Sequence, residues 1–227
     1  LSTLDLAVKY RAKYVFTSSS VVYGPATSDR VVFKESDEGI VNHLSPRGCY
    51  DEGKRFAETC VETYRQVHGL DAKIARVFTT YGSRMKLRDG LLIPDFILDA
   101  LDGKDLVIYG DDTLIQSLCF ISDMIDGLVR LMHAGPEVGI VNLGHDDPVR
   151  MVDVANKIIE MTNSSSQVVF EKPLEFLTRK GMPDLTRSKE ELGWLPLIRL
   201  EEGLQKTIDY AIANKEMLDL NENRIQM

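Results

Sequence analysis

The sequence lacks the features that would assign it to several broad classes of protein. No apolar run approaches the ~20 residues needed to cross a bilayer, and no signal peptide is visible. No basic cluster exceeds a few residues, and the net charge of −8 argues against a nucleic-acid partner. Three cysteines and four histidines show no metal-ligand spacing, so no metal site is predicted. These absences favour a protein of the reducing cytoplasm with neither a membrane nor a nucleic-acid partner.

What the chain does contain is an alternation of short strands and helices over its 227 residues. A helix over 1–10 and a buried strand over 13–17 precede a long helix, which Ser45-Pro46 opens and Gly69 ends. The next strand covers 71–78. Further helices are predicted at 91–101, 122–133, 152–161, 188–193 and 200–213, and further strands at 106–109, 140–143 and 168–170. Strands that alternate with helices indicate an α/β fold with a parallel sheet covered on both faces.

Shorter elements dominate after Leu101 and predict a second, smaller lobe. We expect residues 1–90 to form the larger lobe and residues 91–227 to form mainly the smaller one, with the chain crossing back to the sheet near 119–145. Ligands of open α/β sheets bind beyond the carboxyl ends of the strands. The segments 18–20 and 79–81 follow two such ends, which predicts a ligand-binding cleft there.

Tyr50 and Lys54 form a Y-x-x-x-K pair within the predicted long helix. Residues four apart share one face of a helix, so the phenol and the ammonium should lie side by side. A nearby cation favours the phenolate, which predicts a tyrosine able to exchange a proton at neutral pH. The alternative for such a pair is an ordinary solvated helix face. The serine-ended strand before the pair and the strand after it favour the catalytic interpretation.

The order of these motifs resembles that of the extended short-chain dehydrogenase/reductases, and within them the nucleotide-sugar enzymes. Among these, the chain resembles the UDP-glucuronate decarboxylases over nearly its whole length. The matching segments are SSSVVYG at 18–24, PRGCYDEGKR at 46–55, RVFTTYG at 76–82, RM at 84–85, YG at 109–110, SD at 122–123, VNLG at 141–144, LGW at 192–194 and LEEGL at 200–204.

The resemblance implies a Rossmann-like doubly wound parallel sheet with a smaller C-terminal substrate lobe, a bound NAD, and a reaction through a 4-keto sugar. It implies that Tyr50 is the general base, that Lys54 holds the nicotinamide ribose, and that Ser19 hydrogen-bonds the reacting oxygen. Tyr50, Lys54 and Ser18 would contact NAD. A homodimer is expected through a four-helix bundle of helix 1–10 and the Tyr50 helix. The residues implied for binding a nucleotide sugar, a UDP-sugar, are Ser20, Thr79, Arg84, Tyr109 and Gln116.

Three departures from the family pattern bear on these expectations. None of the 16 glycines belongs to a glycine-rich phosphate-binding motif. We therefore expect the missing N-terminal βα units, on the order of 90 residues at ~30 each, to lie upstream. Val21 stands where decarboxylases carry a glutamate, and Gln116 stands where the family has an arginine. Arginine pairs with phosphate through two hydrogen bonds and a charge that glutamine lacks. Arg84, Arg179 and Lys180 are candidates for the missing positive charge.

Three functions remain open from the sequence. Overall similarity favours decarboxylation of UDP-glucuronate, whereas Val21 and Gln116 favour a UDP-sugar 4-epimerase, which needs no carboxylate at position 21. The missing glycine loop favours a non-catalytic relative that serves as a binding or regulatory subunit. The presence of Tyr50, Lys54 and Ser19 together argues against this third function.

Overall fold

The computed structural model describes residues 1–85, 90–175 and 179–225, and only the backbone of 216–225. The helices in these ranges are α1 (Ser2–Tyr10), α2 (Gly48–His68), α3 (Leu92–Leu101), α4 (Ile121–His133), α5 (Met151–Thr162), α6 (Thr186–Leu192) and α7 (Leu200–Ile225). The strands are β1 (Tyr14–Ser19), β2 (Val32–Phe33), β3 (Ala72–Val77), β4 (Thr80–Tyr81), β5 (Leu106–Tyr109), β6 (Ile115–Ser117), β7 (Cys119–Phe120), β8 (Ile140–Leu143), β9 (Pro148–Arg150), β10 (Val168–Glu171) and β11 (Met182–Pro183).

Three parallel strands form the central sheet in the order β1-β3-β8. β3 lies in the middle and is buried over five of its six residues, whereas β1 and β8 form the two edges. Parallel neighbours cannot be joined by a tight turn, and here α2 connects β1 to β3 while α4 lies between β3 and β8. The predicted α/β fold with a parallel sheet is confirmed.

Alternate residues of β3 pack into separate cores on the two faces of the sheet. Ile74 joins Leu4 of α1 and Val61 of α2 on one face. Ala75 joins Trp194 and apolar side chains of α4 on the other face. Full burial of a leucine or isoleucine side chain stabilises a fold by roughly 1.5–3 kcal/mol, so each helix layer is held to the sheet by its own apolar contacts.

A further core lies among α3, α5 and α7 and the strand pairs β5–β10 and β6–β9. Leu106 and Ile108 of β5 and Val154 and Ile158 of α5 are fully buried in it. Strands β4 and β7 pair with each other. β4 follows β3 in the chain, and β7 directly precedes α4. The return of the chain to the central sheet at β8 falls within the predicted crossing at 119–145. The lobe limits of 1–90 and 91–227 stay a prediction.

Helix α4 begins at Ile121, one residue before the predicted start, and Asp123 in its first turn bonds to a distant segment. Phe120 occupies the N-cap position and makes no side-chain capping bond. The Asp123 carboxylate instead accepts hydrogen bonds from the backbone amides of Leu197 and Ile198, at 2.9 and 2.8 Å. Trp194 Nε1 donates to the Asp123 carbonyl oxygen at 3.0 Å. Asp123 therefore ties the C-terminal segment to α4, a long-range role that local spacing cannot reveal.

Two later segments also differ from the sequence-based prediction. The last helix was expected to end near residue 213, whereas α7 continues to Ile225. Residues 214–225 include neither glycine nor proline, and six of the twelve are Lys, Glu, Leu or Met, which favour helix. The segment 179–184, to which the sequence analysis assigns no helix or strand, contains β11, which pairs with β2. A two-residue strand is too short to show a periodic pattern.

Glu35 is a half-buried carboxylate beside the outer edge of β8. Its Oε1 accepts a hydrogen bond from the Asn142 backbone amide at 2.8 Å, so the side chain takes the place of a further strand. Burial raises the pKa of Glu35, and the nearby Asp184 adds to the rise. The folded protein therefore binds this proton more tightly than the unfolded chain does, and ionisation of Glu35 costs stability.

We expect Glu35→Gln to raise the melting temperature at pH 7, because glutamine keeps the acceptor oxygen and cannot ionise. The parent loses stability as the pH rises from the ordinary glutamate pKa of 4.5 toward the raised value. The gain should therefore vanish when both proteins are melted below about pH 4. The exposed Glu38 provides the control, Glu38→Gln. An equal gain from Glu35→Gln at both pH values would contradict the assignment.

Candidate active site

Close backbone packing fixes the residue at which α2 begins. A Cβ atom at Gly48 would lie 2.3 Å from the His43 carbonyl oxygen, so only glycine fits against the preceding loop. Arg47 occupies the N-cap position without a side-chain capping bond. Cys49 and Tyr50 follow in the first turn. The position of Tyr50 is therefore set by tertiary packing as well as by the helix itself.

Lys54 holds its ammonium against the carboxyl end of β1. Its Nζ donates a hydrogen bond to the Thr17 carbonyl oxygen at 2.8 Å and lies 5.1 Å from the centroid of the Phe16 ring. The same nitrogen lies 5.8 Å from the centroid of the Tyr50 ring, so the two side chains are neighbours, as their spacing predicts. Tyr50 is 46% exposed. The cation is thus held in place while the phenol stays open to a ligand.

Ser19 is the last residue of β1, and a 3-10 turn over Ser20–Tyr23 follows it. The Ser19 Oγ accepts a hydrogen bond from the Val21 amide at 3.4 Å, which caps this turn. A hydroxyl can accept and donate at once, so the Ser19 proton is free to be donated to a ligand. Gly24 ends the turn at a φ of 75°, a conformation that favours glycine.

Ser18 and Ser20 flank Ser19 and have different surroundings. Ser18 is 3% exposed, and its Oγ donates to Glu58 Oε1 at 2.5 Å. This burial leaves little of Ser18 accessible, so its contact with NAD stays a prediction that the geometry does not favour. Ser20 is half-buried at the start of the 3-10 turn and stays a predicted substrate contact.

Tyr23 is a core residue rather than a second exposed phenol. Its ring stacks on Phe33, with the centroids 4.8 Å apart, and its hydroxyl donates to Asn142 Oδ1 at 2.7 Å. The Arg76 guanidinium carbon lies 4.6 Å from the Tyr23 ring centroid. Burial raises the pKa of Tyr23 to about 12, although Arg76 opposes the rise. Tyr23 therefore stays protonated and holds the 3-10 turn to the end of the sheet.

Thr79, Gln116 and Lys180 meet although they lie on three separate segments. Lys180 Nζ donates to Thr79 Oγ1 at 3.3 Å, and the Thr79 hydroxyl donates to Gln116 Oε1 at 3.2 Å. Gln116 belongs to β6 and is 7% exposed. Of the three cations named from the sequence, Lys180 is the one that bonds to Thr79, and Thr79 in turn bonds to Gln116.

Arg47 brings a second positive charge close to Lys180. Burial lowers the pKa of Lys180, and the field of Arg47 lowers it further. The Arg47 guanidinium carbon also lies 5.6 Å from the Tyr50 ring centroid, and its Nη2 lies 3.8 Å from Asp51 Oδ1. Arg47 thus lies beside the exposed phenol and within electrostatic reach of Lys180, an arrangement suited to a bound anion.

Arg84 and Tyr109 lie in other parts of the fold. Arg84 is exposed, has a φ of 66°, and lines a cavity of about 10 Å³ with side chains of α3 and α7. Tyr109 is half-buried at the end of β5, where it is the register partner of Glu171 in β10. Both residues stay predicted substrate contacts.

Sequence reasoning missed three residues that the structure places close to the site. Arg47 precedes Tyr50 by three positions, so its place on the same helix face could have been read from the spacing. Glu58 continues the four-residue spacing of Tyr50 and Lys54. Arg76 was noted only as part of a matching segment, because its partner Glu58 lies 18 residues earlier in the chain.

The residues present fit one end of a dinucleotide. Lys54 provides a fixed cation and Tyr50 an accessible phenol beside the end of β1. This arrangement could hold the ribose next to the nicotinamide ring of a dinucleotide. The 227 residues contain no glycine-rich loop for the pyrophosphate. Within the described ranges, no group of three or more His, Cys, Asp or Glu side chains is placed to bind a metal. No helix in those ranges combines the length and the apolar character needed to cross a membrane.

The chain belongs to the NAD dependent epimerase/dehydratase family, whose sequence profile matches residues 1–144. It is 40% identical over 206 residues to UDP-glucuronic acid decarboxylase 5 of Arabidopsis thaliana. It is 38% identical over 212 residues to UDP-glucuronic acid decarboxylase 1 of Xenopus tropicalis. These alignments cover 90% and 92% of the chain, but only 59% and 49% of the relatives' own length.

Solved structures confirm the Rossmann-like fold. An epimerase from Methanothermobacter thermautotrophicus matches with a TM-score of 0.86 at 22% identity, covering 95% of this chain and 64% of that protein. The dTDP-glucose 4,6-dehydratase of Bacillus anthracis, solved in complex with NAD, matches with a TM-score of 0.81 at 25% identity. That match covers 94% of this chain and 66% of the dehydratase.

We expect Lys180→Met to raise the melting temperature at neutral pH by a few degrees, since ~1 kcal/mol corresponds to about 2–4 °C in a protein of this size. The physical reason is the removal of a cation that burial disfavours. The gain should shrink as the pH rises through the lowered pKa toward the ordinary lysine value of 10.5, because the parent lysine is then neutral too.

The control for this change is Lys189→Met, which removes the same charge from an exposed position of α6. Inorganic phosphate should raise the melting temperature of the parent and of Lys189→Met more than that of Lys180→Met. An equal response of all three proteins to phosphate would show that Lys180 takes no part in binding an anion.

Proposed function

We propose that this chain carries the reactive end of an NAD-dependent enzyme that modifies a nucleotide sugar through a 4-keto intermediate, as a UDP-glucuronate decarboxylase does. The observation that carries the proposal is the exposed phenol of Tyr50, placed beside the fixed Lys54 ammonium and near the strand that ends in Ser19. The names of its relatives, UDP-glucuronic acid decarboxylases of plants and vertebrates, support the substrate class.

Tyr50 and Ser19 have complementary tasks at one oxygen in this proposal. The Tyr50 phenolate takes the proton of the sugar 4-hydroxyl, while the Ser19 hydroxyl donates a hydrogen bond to the same oxygen. Bound NAD would supply the hydride acceptor and donor for C4, with its ribose held by Lys54 and Tyr50. Lys54 keeps a positive charge beside the phenolate and holds the ribose next to it. A positioned base of this kind contributes about 10²–10⁴-fold to the rate.

A ketone at C4 makes the loss of the sugar carboxylate possible, because that carboxylate is then attached to the carbon next to the ketone. When the bond to carbon dioxide breaks, its electron pair spreads onto the C4 oxygen, and Ser19 and Tyr50 donate hydrogen bonds to that oxygen. One solvent proton then adds to C5. Tyr50 finally returns its proton to the C4 oxygen when the hydroxyl is restored. Carbon dioxide and a UDP-pentose are the products.

We propose that the cations near Tyr50 hold the anionic parts of the substrate. Lys180 and Arg47 supply the charge that Gln116 lacks, and Thr79 links Lys180 to Gln116. An ammonium binds an anion as a point charge and without the two-bond geometry of an arginine. The other predicted substrate contacts are Ser20, Arg84 and Tyr109.

A 4-epimerase is the second candidate. Val21 is a half-buried apolar residue on the 3-10 turn, where the decarboxylase pattern requires a glutamate. Epimerisation needs the same ketone but no extra carboxylate. The 4-keto sugar only has to rotate, so that the hydride returns to the opposite face of C4. The Val21 side chain therefore favours the epimerase over the decarboxylase.

A non-catalytic binding or regulatory subunit is the third candidate. Calorimetric titration with NAD, on this chain and on any longer form of the protein, separates this candidate from the enzymes. Saturable binding by a longer form supports the enzymes. Absence of binding by every form would leave only the third candidate.

We also propose that the protein forms a homodimer through α1 and α2. Both helices expose large apolar side chains on the side away from the sheet, namely Leu6, Tyr10, Phe56 and Val67, which are 53–69% exposed. Paired with the same surface of a second copy, they would bury this apolar area. Sedimentation equilibrium should then give about twice the chain mass of 25.6 kDa.

We expect Tyr50→Phe to lower turnover by at least about 10²-fold with an unchanged melting temperature, because only the group that transfers the proton is removed. Tyr10→Phe removes a hydroxyl from another exposed tyrosine and should leave turnover unchanged. If Tyr50→Phe retained the parental rate, Tyr50 would not be the base.

Two product assays decide between the enzymatic candidates. UDP-glucuronate should release carbon dioxide if the protein is a decarboxylase. UDP-glucose and UDP-galactose should interconvert without net oxidation if it is an epimerase. A protein that binds NAD but performs neither reaction would exclude both assignments.

A further inference from the structure

A row of buried polar side chains crosses the central sheet close to the candidate site. Ser18, Arg76 and Asn142 are register partners on β1, β3 and β8, and they are 3%, 9% and 0% exposed. Sheets of parallel strands covered on both faces are mostly apolar inside. A charge buried at such a place is costly unless its hydrogen bonds are satisfied. The row therefore calls for a physical explanation beyond packing.

Glu58 reaches this row from α2. Ser18 Oγ donates to Glu58 Oε1 at 2.5 Å, and Arg76 donates through Nε to Oε1 at 3.1 Å and through Nη2 to Oε2 at 2.8 Å. The two-pronged bond fixes the carboxylate plane as well as its position. Glu58 lies one helical turn beyond Lys54 and two turns beyond Tyr50, on the same face of α2.

The helix is thereby attached to β1 at two consecutive residues. Lys54 Nζ bonds the Thr17 carbonyl oxygen, and one turn later the Glu58 carboxylate bonds the Ser18 hydroxyl. A shift or rotation of α2 along the strand would break both contacts at once. Since Ser19 is the next residue of β1, these contacts also fix where the phenol of α2 stands relative to the serine hydroxyl.

Arg76 also contacts the 3-10 turn that follows Ser19. Its guanidinium carbon lies 4.6 Å from the Tyr23 ring centroid, and its Nη1 donates to the Glu35 carbonyl oxygen at 3.0 Å. Tyr23 ends the 3-10 turn that Ser19 caps. One side chain therefore touches both the helix that carries the base and the turn that begins at the hydrogen-bond donor.

We propose that Glu58 and Arg76 are positioning residues, which set the separation of Tyr50 and Ser19 by fixing α2 and the 3-10 turn to the same point of the sheet. This inference rests on the proposed function, because the separation matters only if both side chains act on one substrate oxygen. Neither Glu58 nor Arg76 touches the substrate. Their loss should act on turnover and not on substrate affinity.

The test is the double change Glu58→Leu with Arg76→Met, which replaces the ion pair with apolar side chains and leaves no unpaired charge in the core. Removal of both partners of a buried pair is often neutral for stability. We expect an unchanged KM for the nucleotide sugar, a similar melting temperature, and a kcat lower by roughly 10–100-fold, since small misplacements of reacting groups have effects of this size.

A second readout needs no turnover. In the double variant, amide hydrogen exchange should be several-fold faster over residues 48–55 of α2 than in the parent, with the exchange of α4 unchanged. The matched control is Lys73→Met, which removes another buried cation of β3, paired there with Asp71 on the opposite face of the sheet. Lys73→Met should change neither kcat nor exchange over 48–55.

If the double variant does not fold, the single change Arg76→Lys tests the same proposal. It keeps the charge beside Glu58 but loses the two-pronged bond, so kcat should fall while KM stays. Parental kcat and parental exchange in the double variant, or an equal effect of Lys73→Met, would overturn the proposal. If the parent itself shows no turnover on any UDP-sugar, the proposed function fails. The exchange comparison still decides whether Glu58 and Arg76 fix α2.

Discussion

The attachment of α2 to the carboxyl end of β1 is the constraint on which the candidate site depends. α2 begins without a side-chain cap, so its first turn draws little support from the local hydrogen bonds that usually start a helix. Tertiary contacts supply that support instead. Gly48 allows the preceding loop to pack closely, and Lys54 and Glu58 bond to Thr17 and Ser18. The Tyr50 phenol is thus exposed on a helix whose position is fixed by its contacts with β1.

The polar row beneath the site has an energetic cost that apolar packing would avoid. A buried ion pair is rarely more stable than well-packed hydrocarbon of the same volume, but it specifies one geometry where hydrocarbon tolerates several. Arg76 forms three kinds of contact at once, with a carboxylate, a backbone carbonyl and an aromatic face. The sheet therefore trades some stability for a defined arrangement of the elements around Ser19.

Local patterns could be predicted from the sequence, whereas long-range pairings could not. The Y-x-x-x-K pair, the strands ending near Ser19 and before Thr79, and the alternation of strands and helices depend on spacing within one segment. The bond from Lys180 to Thr79 joins residues 101 positions apart, and the role of Asp123 depends on amides more than 70 positions later. No local periodicity carries such information. The choice between the two proposed reactions rests on Val21 and Gln116, single positions where the chemistry of one side chain and not a periodic pattern carries the information.

Trp194 is the single tryptophan of the sequence, and it is buried on the α4 face of the sheet, where its indole donates to Asp123. α2 packs on the other face. Tryptophan fluorescence of this protein therefore reports mainly the α4 layer, and loosening of α2 should change it little. Unfolding curves followed by tryptophan emission and by circular dichroism need not coincide, because emission samples one layer whereas circular dichroism samples every helix.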